Sequence, residues 1–194
     1  MDTDPLRLGE LVCARVCHDL GGLAGTLAGA LELAEDDGSE AVTVAREAAD
    51  SLSRRLRLLR ATFGPVSEPL GADAIADLAS GLGERLRVNT AGLGPAQLTG
   101  PHARLALAML LLGAEALPRG GTLHVSTDPS GTLRVEASGP GQGWPPGVSQ
   151  GFVDGLPEAP RAMMAPFCGL LARTASMELT VADSPPALLA TPSS

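Results

Sequence analysis

Val42, Ala45, Ala49, Leu52, Leu56, Leu59 and Phe63 recur at alternating steps of three and four. That spacing keeps one side of an α-helix apolar and is the a/d seam of a helical bundle. It constrains the fold because a second stripe comes just before it. Leu8, Val12, Val16, Leu20, Leu23, Leu27 and Leu31 also recur in steps of three and four, without the strict alternation. Asp4 as N-cap and Pro5 at the first helical position start this earlier helix. It runs to about Asp37, where Gly38 is placed to end it and Ser39 to cap the next. The second helix stops at Phe63, before Gly64-Pro65. Two long helices joined by so short a turn form an antiparallel hairpin. A lone hairpin leaves much of both stripes in water, so the pattern predicts a symmetric homodimer closed as a four-helix bundle. Leu56 falls in the seam, where truncation to Ala carries the core cost of about 2–5 kcal/mol.

Beyond a Pro/Gly/Ser-rich linker at about residues 64–72 the pattern changes to α/β. A helix at about 72–83 precedes a short strand at 86–90. A helix after Gly100-Pro101, reaching Leu117, is apolar nearly all round and is expected to lie buried against a sheet. Strands at 122–127 and 132–137 flank the turn Asp128-Pro129-Ser130-Gly131. The Gly/Pro stretch from Ser138 to Gly151 reads as a floppy surface connector. A helix at 160–175 and two strands, 177–182 and 187–190, complete the chain, with the tail from Ser184 expected to be ordered only in part. The fold class expected is α+β, with a hairpin unit over 1–64 and a small α/β sandwich over 71–194.

Composition narrows the chemistry. A net charge of -8, no Tyr, one Trp and three Phe argue against a nucleic-acid partner. All basic residues are Arg, which excludes a P-loop lysine and any Schiff-base mechanism. Cys13, Cys17 and Cys168 form no disulfide framework, and Cys13 and Cys17 are expected to be small buried residues. No stretch is long and apolar enough to span a membrane, and the first residues do not read as a signal peptide. These features predict a soluble, cytoplasmic protein.

One histidine stands out. At about 100° per residue, His18 projects about 160° from the middle of the apolar stripe, towards solvent or a partner. Gly22, Gly25 and Gly29 lie on nearly the same side. Each glycine costs roughly 1 kcal/mol of helix stability against Ala, but such a face lets another backbone come close. Asp19 follows His18 directly and is placed to orient the ring or accept a proton. Arg15 stands one turn earlier, where it reaches Asp19 and helps to neutralise an anion on the imidazole. Neutral imidazole is nucleophilic near pH 7, so this group is suited to accept a phosphoryl. His102 and His124, at a helix start and in a strand, read as structural.

The segment Arg15-Val16-Cys17-His18-Asp19-Leu20, then Leu31-Glu32-Leu33, the close of the second helix from Leu56 to Gly64, and Glu115-Ala116-Leu117-Pro118-Arg119-Gly120-Gly121 together resemble sensor histidine kinases. They are more similar still to the ChpT-type histidine phosphotransferases, and the resemblance runs over essentially the whole chain. It departs from true kinases where nucleotide binds. The helix that carries their Asn residues reads Leu110-Leu111-Leu112-Gly113-Ala114-Glu115, and the Gly139-Pro140-Gly141-Gln142-Gly143 loop has no preceding Asp. The resemblance therefore implies a degenerate ATPase-like domain that binds no nucleotide.

It also implies a homodimeric histidine phosphotransferase. Its phosphoacceptor is His18, aided by Asp19 and Arg15, with Gly22 and Gly25 meeting the partner. The donor is the receiver domain of a hybrid histidine kinase and the acceptors are response regulators. Those receivers bring their own Mg²⁺, so the chain itself holds no cofactor or metal. Two rivals stay open. A non-catalytic interaction module predicts that His18 is dispensable, and an active kinase with an unusual nucleotide site predicts ATP binding.

Overall fold

The computed structural model describes residues 4–34, 38–65, 68–95, 97–148, 156–158 and 160–193. Helix α1 spans Pro5–Ala34 and α2 spans Gly38–Phe63, packed together as a hairpin. The Asp4 carboxylate accepts a hydrogen bond from the Leu6 amide at 3.0 Å, which satisfies one orphan donor of the first turn. The expected end of α1 at Asp37 lies outside the described residues. Gly38 already belongs to α2, which therefore starts one residue before the expected cap at Ser39.

Past α2, helix α3 (Ala72–Ala79) runs into a 3₁₀ turn at Ser80–Leu82. Strand β1 (Leu86–Gly92) leads to α4 (Gly100–Glu115), then to β2 (Gly121–Thr127) and β3 (Leu133–Ser138). A second 3₁₀ turn, Pro160–Met163, precedes α5 (Met164–Thr174), β4 (Met177–Asp183) and β5 (Pro186–Pro192). The sheet order is β1-β2-β3-β5-β4, with β1 parallel to β2 and the other pairs antiparallel. Within the stretch expected to be partly ordered, Pro186–Pro192 forms β5, inserted between β3 and β4. Alternation sends Leu123, Val125, Leu133, Val135, Ala137, Leu188 and Ala190 to one buried face. Helix α4 is buried from Leu105 to Gly113, as its all-round apolar sequence requires. In the β2–β3 turn the Asp128 carboxylate accepts from the Ser130 and Thr132 amides, and Gly131 takes φ 85°.

The hairpin does not stand apart from the sheet. Leu11, Leu58 and Leu59 belong to the same buried cluster as Ile75, Ala79, Leu107 and Met163. Arg104 of α4 donates to the Thr62 carbonyl at 2.8 Å and lies over the Phe167 ring. The 3₁₀ turn at Ser80–Leu82 presses on α2 so closely that a Cβ on Gly81 would sit 2.5 Å from the Arg54 carbonyl oxygen.

Within one chain Leu56 is 40% exposed, whereas Leu58, off the seam, is fully buried. Leu58 is covered because α3 and its 3₁₀ turn dock on a second face of α2, which a single-helix pattern does not reveal. Two expectations are corrected. Cys13 and Cys17 are exposed, and only Cys168 is buried, its thiol pushed up by that burial. The Gly/Pro stretch is no floppy connector over its described part. The Gly143 amide donates to the Ala116 carbonyl at 3.0 Å, Trp144 Nε1 donates to the Ala182 carbonyl at 2.8 Å, and Val148 is buried. Residues 149–151 of that stretch lie outside the described residues.

Candidate functional site

His18 sits near the middle of α1 with 58% of its side chain exposed, while the neighbouring Asp19 side chain is only 9% exposed. One residue of helical rotation separates the two, turning the ring outwards and the carboxylate into the groove between α1, α2 and α4. His18 Nδ1 lies 3.4 Å from Asp19 Oδ1.

Two cations converge on Asp19. Arg15 donates Nε–H to its carboxylate at 3.2 Å across the i,i+4 turn, and Arg55 of α2 donates to Oδ2. Arg15 reaches further with Nη1, which donates to Glu115 Oε1 at 3.0 Å. Arg55 also donates to the Gly81 carbonyl at 3.3 Å. Glu115, Arg15, Asp19 and Arg55 therefore form a row of alternating charge across α4, α1 and α2, beneath the histidine. Burial alone would raise the Asp19 carboxyl, but the Arg55 and Arg15 guanidiniums outweigh it and hold Asp19 below its ordinary range. Asp19 is thus a poor proton acceptor and a good fixed anion. Burial also dominates at Glu115, which is raised despite Arg15. Arg15 loses charge stability to burial, and Asp19 and Glu115 more than restore it.

Two clefts flank the ring. One, of about 420 Å³, is walled by Pro145, Pro146, Gly147, Val148, Ala162 and Ala165, with Arg15, Asp19 and Glu115 at its polar side. The other, of about 600 Å³, holds Arg54, Arg55 and Arg85 together with Gly22 and the turn at 80–83. Gly22 and Gly25 face open space, where an added Cβ meets nothing within 4 Å. The structure thus brings His18, Asp19, Arg15 and Gly22 together, with Gly25 one turn further along the same helix.

Arg55, Glu115 and the loop at 145–148 were not singled out for the site by sequence reasoning. Arg55 had a signal, since it and Asp19 are equidistant from residue 37 and so stand level in an antiparallel hairpin. Glu115 had only its place in the Glu-Ala-Leu-Pro-Arg-Gly-Gly segment. Among the described residues, no group of three His, Cys, Asp or Glu side chains is placed to hold a metal ion, and no helix is long and apolar enough to cross a membrane.

Residues 72–186 match the family model described as the histidine phosphotransferase C-terminal domain. The chain belongs to the histidine phosphotransferase family. Over 138 residues it is 31% identical to the protein phosphotransferase ChpT of Brucella abortus, a stretch that covers 66% of this chain and 64% of that protein. The chain thus spans less than two thirds of this curated relative's length. A solved structure of a bacterial phosphotransferase is similar over 98% of both chains, at 25% identity and a TM-score of 0.81. The histidine kinase domain of a blue-light activated kinase from Erythrobacter litoralis is more distant, at 18% identity and a TM-score of 0.47 over 97% of this chain and 94% of that one. The first of these structures extends the similarity beyond the family model to the hairpin that carries His18.

Proposed function

We propose that this family member is a cytoplasmic histidine phosphotransferase that relays phosphoryl groups between receiver-domain aspartates through His18, working as a homodimer. The observation that carries this reading is an outward-facing imidazole whose Nδ1 is turned to a carboxylate kept ionised by two arginines. In the tautomer that donates Nδ1–H to Asp19, Nε2 bears the lone pair. That lone pair attacks the phosphorus of the donor's aspartyl phosphate. The N–P bond forms as the P–O bond breaks, and the electron pair leaves on the donor carboxylate. The Nδ1 proton stays on the ring, facing Asp19. In the return step a carboxylate oxygen of the second receiver attacks phosphorus, and the N–P electrons revert to Nε2.

Asp19 acts as a ring-orienting anion rather than as the alternative proton acceptor. Arg15 acts through Asp19, since its guanidinium is engaged by two carboxylates. The open glycines, Gly22 and Gly25, admit the receiver's backbone. The donor is the receiver of a hybrid histidine kinase and the acceptors are response regulators. The receiver's acidic pocket brings Mg²⁺, which lowers the charge on the transferring group.

The second domain serves as a scaffold and contact surface, not as a nucleotide site. Its helix α4 turns Leu110, Leu111, Leu112 and Gly113 into the core. The loop that would have to cradle phosphates is tied down by Gly143 and Trp144.

Incubation with a receiver carrying labelled aspartyl phosphate tests the assignment. Acid-labile, alkali-stable label is expected on wild type and not on His18→Ala, whose circular dichroism is unchanged. Label of equal strength on His18→Ala would sink it. Label from ATP alone would favour a kinase.

A further inference from the structure

Glu115 is an expensive residue to keep where it stands. It is the last residue of α4, where the negative end of the helix dipole disfavours an anion. Its side chain is only 21% exposed, and burial raises its carboxyl. A neutral glutamine has the same shape and accepts the same hydrogen bond from Arg15. The hydrogen bond therefore does not account for the charge.

The charge has an electrostatic consequence at the ring. Arg15 and Arg55 place two cations on the single carboxylate of Asp19. Glu115 supplies the second anion, so the four formal charges of the row cancel. Glu115, Arg15, Asp19 and His18 all border the same cleft. Phosphorylation of His18 brings an anionic group to the mouth of that cleft. Without Glu115 the row carries one net positive charge, which favours the phosphohistidine over the free imidazole.

Resting on the relay reading above, we infer that Glu115 is a positioning residue that sets the phosphoryl-exchange equilibrium at His18. By balancing Arg15 it keeps the phosphohistidine weak enough to pass its group on. The chemical step is unchanged. Nε2 and the receiver carboxylate exchange one phosphoryl, and only the free-energy difference between the two phosphorylated states moves. The inference gives the second domain a part in the reaction, since Glu115 lies on α4 while the histidine lies on α1.

The test is the equilibrium distribution of label between one phosphorylated receiver and the full-length protein, from both directions. Glu115→Gln is expected to shift the distribution towards phosphohistidine by about three- to tenfold, and to slow onward transfer to a second receiver. Arg15→Gln removes a cation and is expected to shift it the other way. Glu115→Asp, which restores the charge, is expected to return towards wild type. A structural role would not produce shifts of opposite sign in two variants that break the same ion pair. An unchanged ratio in Glu115→Gln, or shifts of the same sign in Glu115→Gln and Arg15→Gln, would overturn the inference. Absence of label on wild type would instead remove the relay reading itself, and the two failures are told apart by that control.

Discussion

Asp19 is the carboxylate on which Arg15 and Arg55 converge, and its loss has a definite pH signature. Asp19→Asn leaves Arg15 and Arg55 facing each other without the carboxylate they share. Removing one partner of a buried pair costs on the order of 3 kcal/mol at neutral pH. The native carboxyl titrates below its ordinary value of 3.8, so its contribution is fully present above that value and is lost as pH falls through the native one. Urea unfolding of wild type and Asp19→Asn should therefore differ at pH 7 and converge as acid protonates Asp19 below the ordinary carboxylate range. A difference that does not shrink with acid would mean that Asp19 is not held by these arginines. At this scale the sequence was informative about neighbours on one helix. The i,i+4 reach of Arg15 and the outward turn of His18 follow from helical geometry alone. Glu115 did not, because a contact between α1 and α4 depends on how two elements dock.

Most elements were legible because their end signals are strong. Helix α2 ends at Phe63, before Gly64-Pro65, and the Asp128–Gly131 turn joins two alternating strands as read. What a periodic pattern withholds is which of several faces meets which neighbour. Leu58 shows the gap. It lies off the regular seam yet is fully buried beside α3 and its 3₁₀ turn. Leu58→Ala is expected to cost about 2–5 kcal/mol in thermal or urea unfolding, whatever the protein concentration. Leu56→Ala is expected to behave differently. In the isolated chain Leu56 is 40% exposed, so its cost is small when the protein is dilute and grows with concentration as the proposed dimer forms. A concentration-independent loss equal to that of Leu58→Ala would argue against a dimer through that face. Gly81→Ala brings its Cβ against the Arg54 carbonyl oxygen and the Leu58 side chain, and is expected to cost about 1–3 kcal/mol as the turn is pushed away from Arg55.

At the scale of the molecule, the hairpin shares one hydrophobic cluster with the sheet and its helices, and one row of charges with α4. The composition shift at residues 64–72 marks a change of architecture; the packing across it was not readable, since Leu11 and Leu58 look like ordinary helical leucines. Two spectroscopic probes check this coupling. Trp144, the only tryptophan, is tied to β4, while the helical signal comes largely from α1 and α2. Their unfolding curves should coincide in a single cooperative transition. The proposed relay asks that one exposed imidazole be loaded by one partner and emptied by another. The most direct measurement follows labelled phosphoryl from a phosphorylated donor receiver, through the purified protein, to a second receiver that the donor does not label by itself. Wild type is expected to deliver label to the second receiver, and His18→Ala to deliver none while keeping its helical content. Equal delivery by His18→Ala would contradict the assignment of His18 as the phosphoryl carrier.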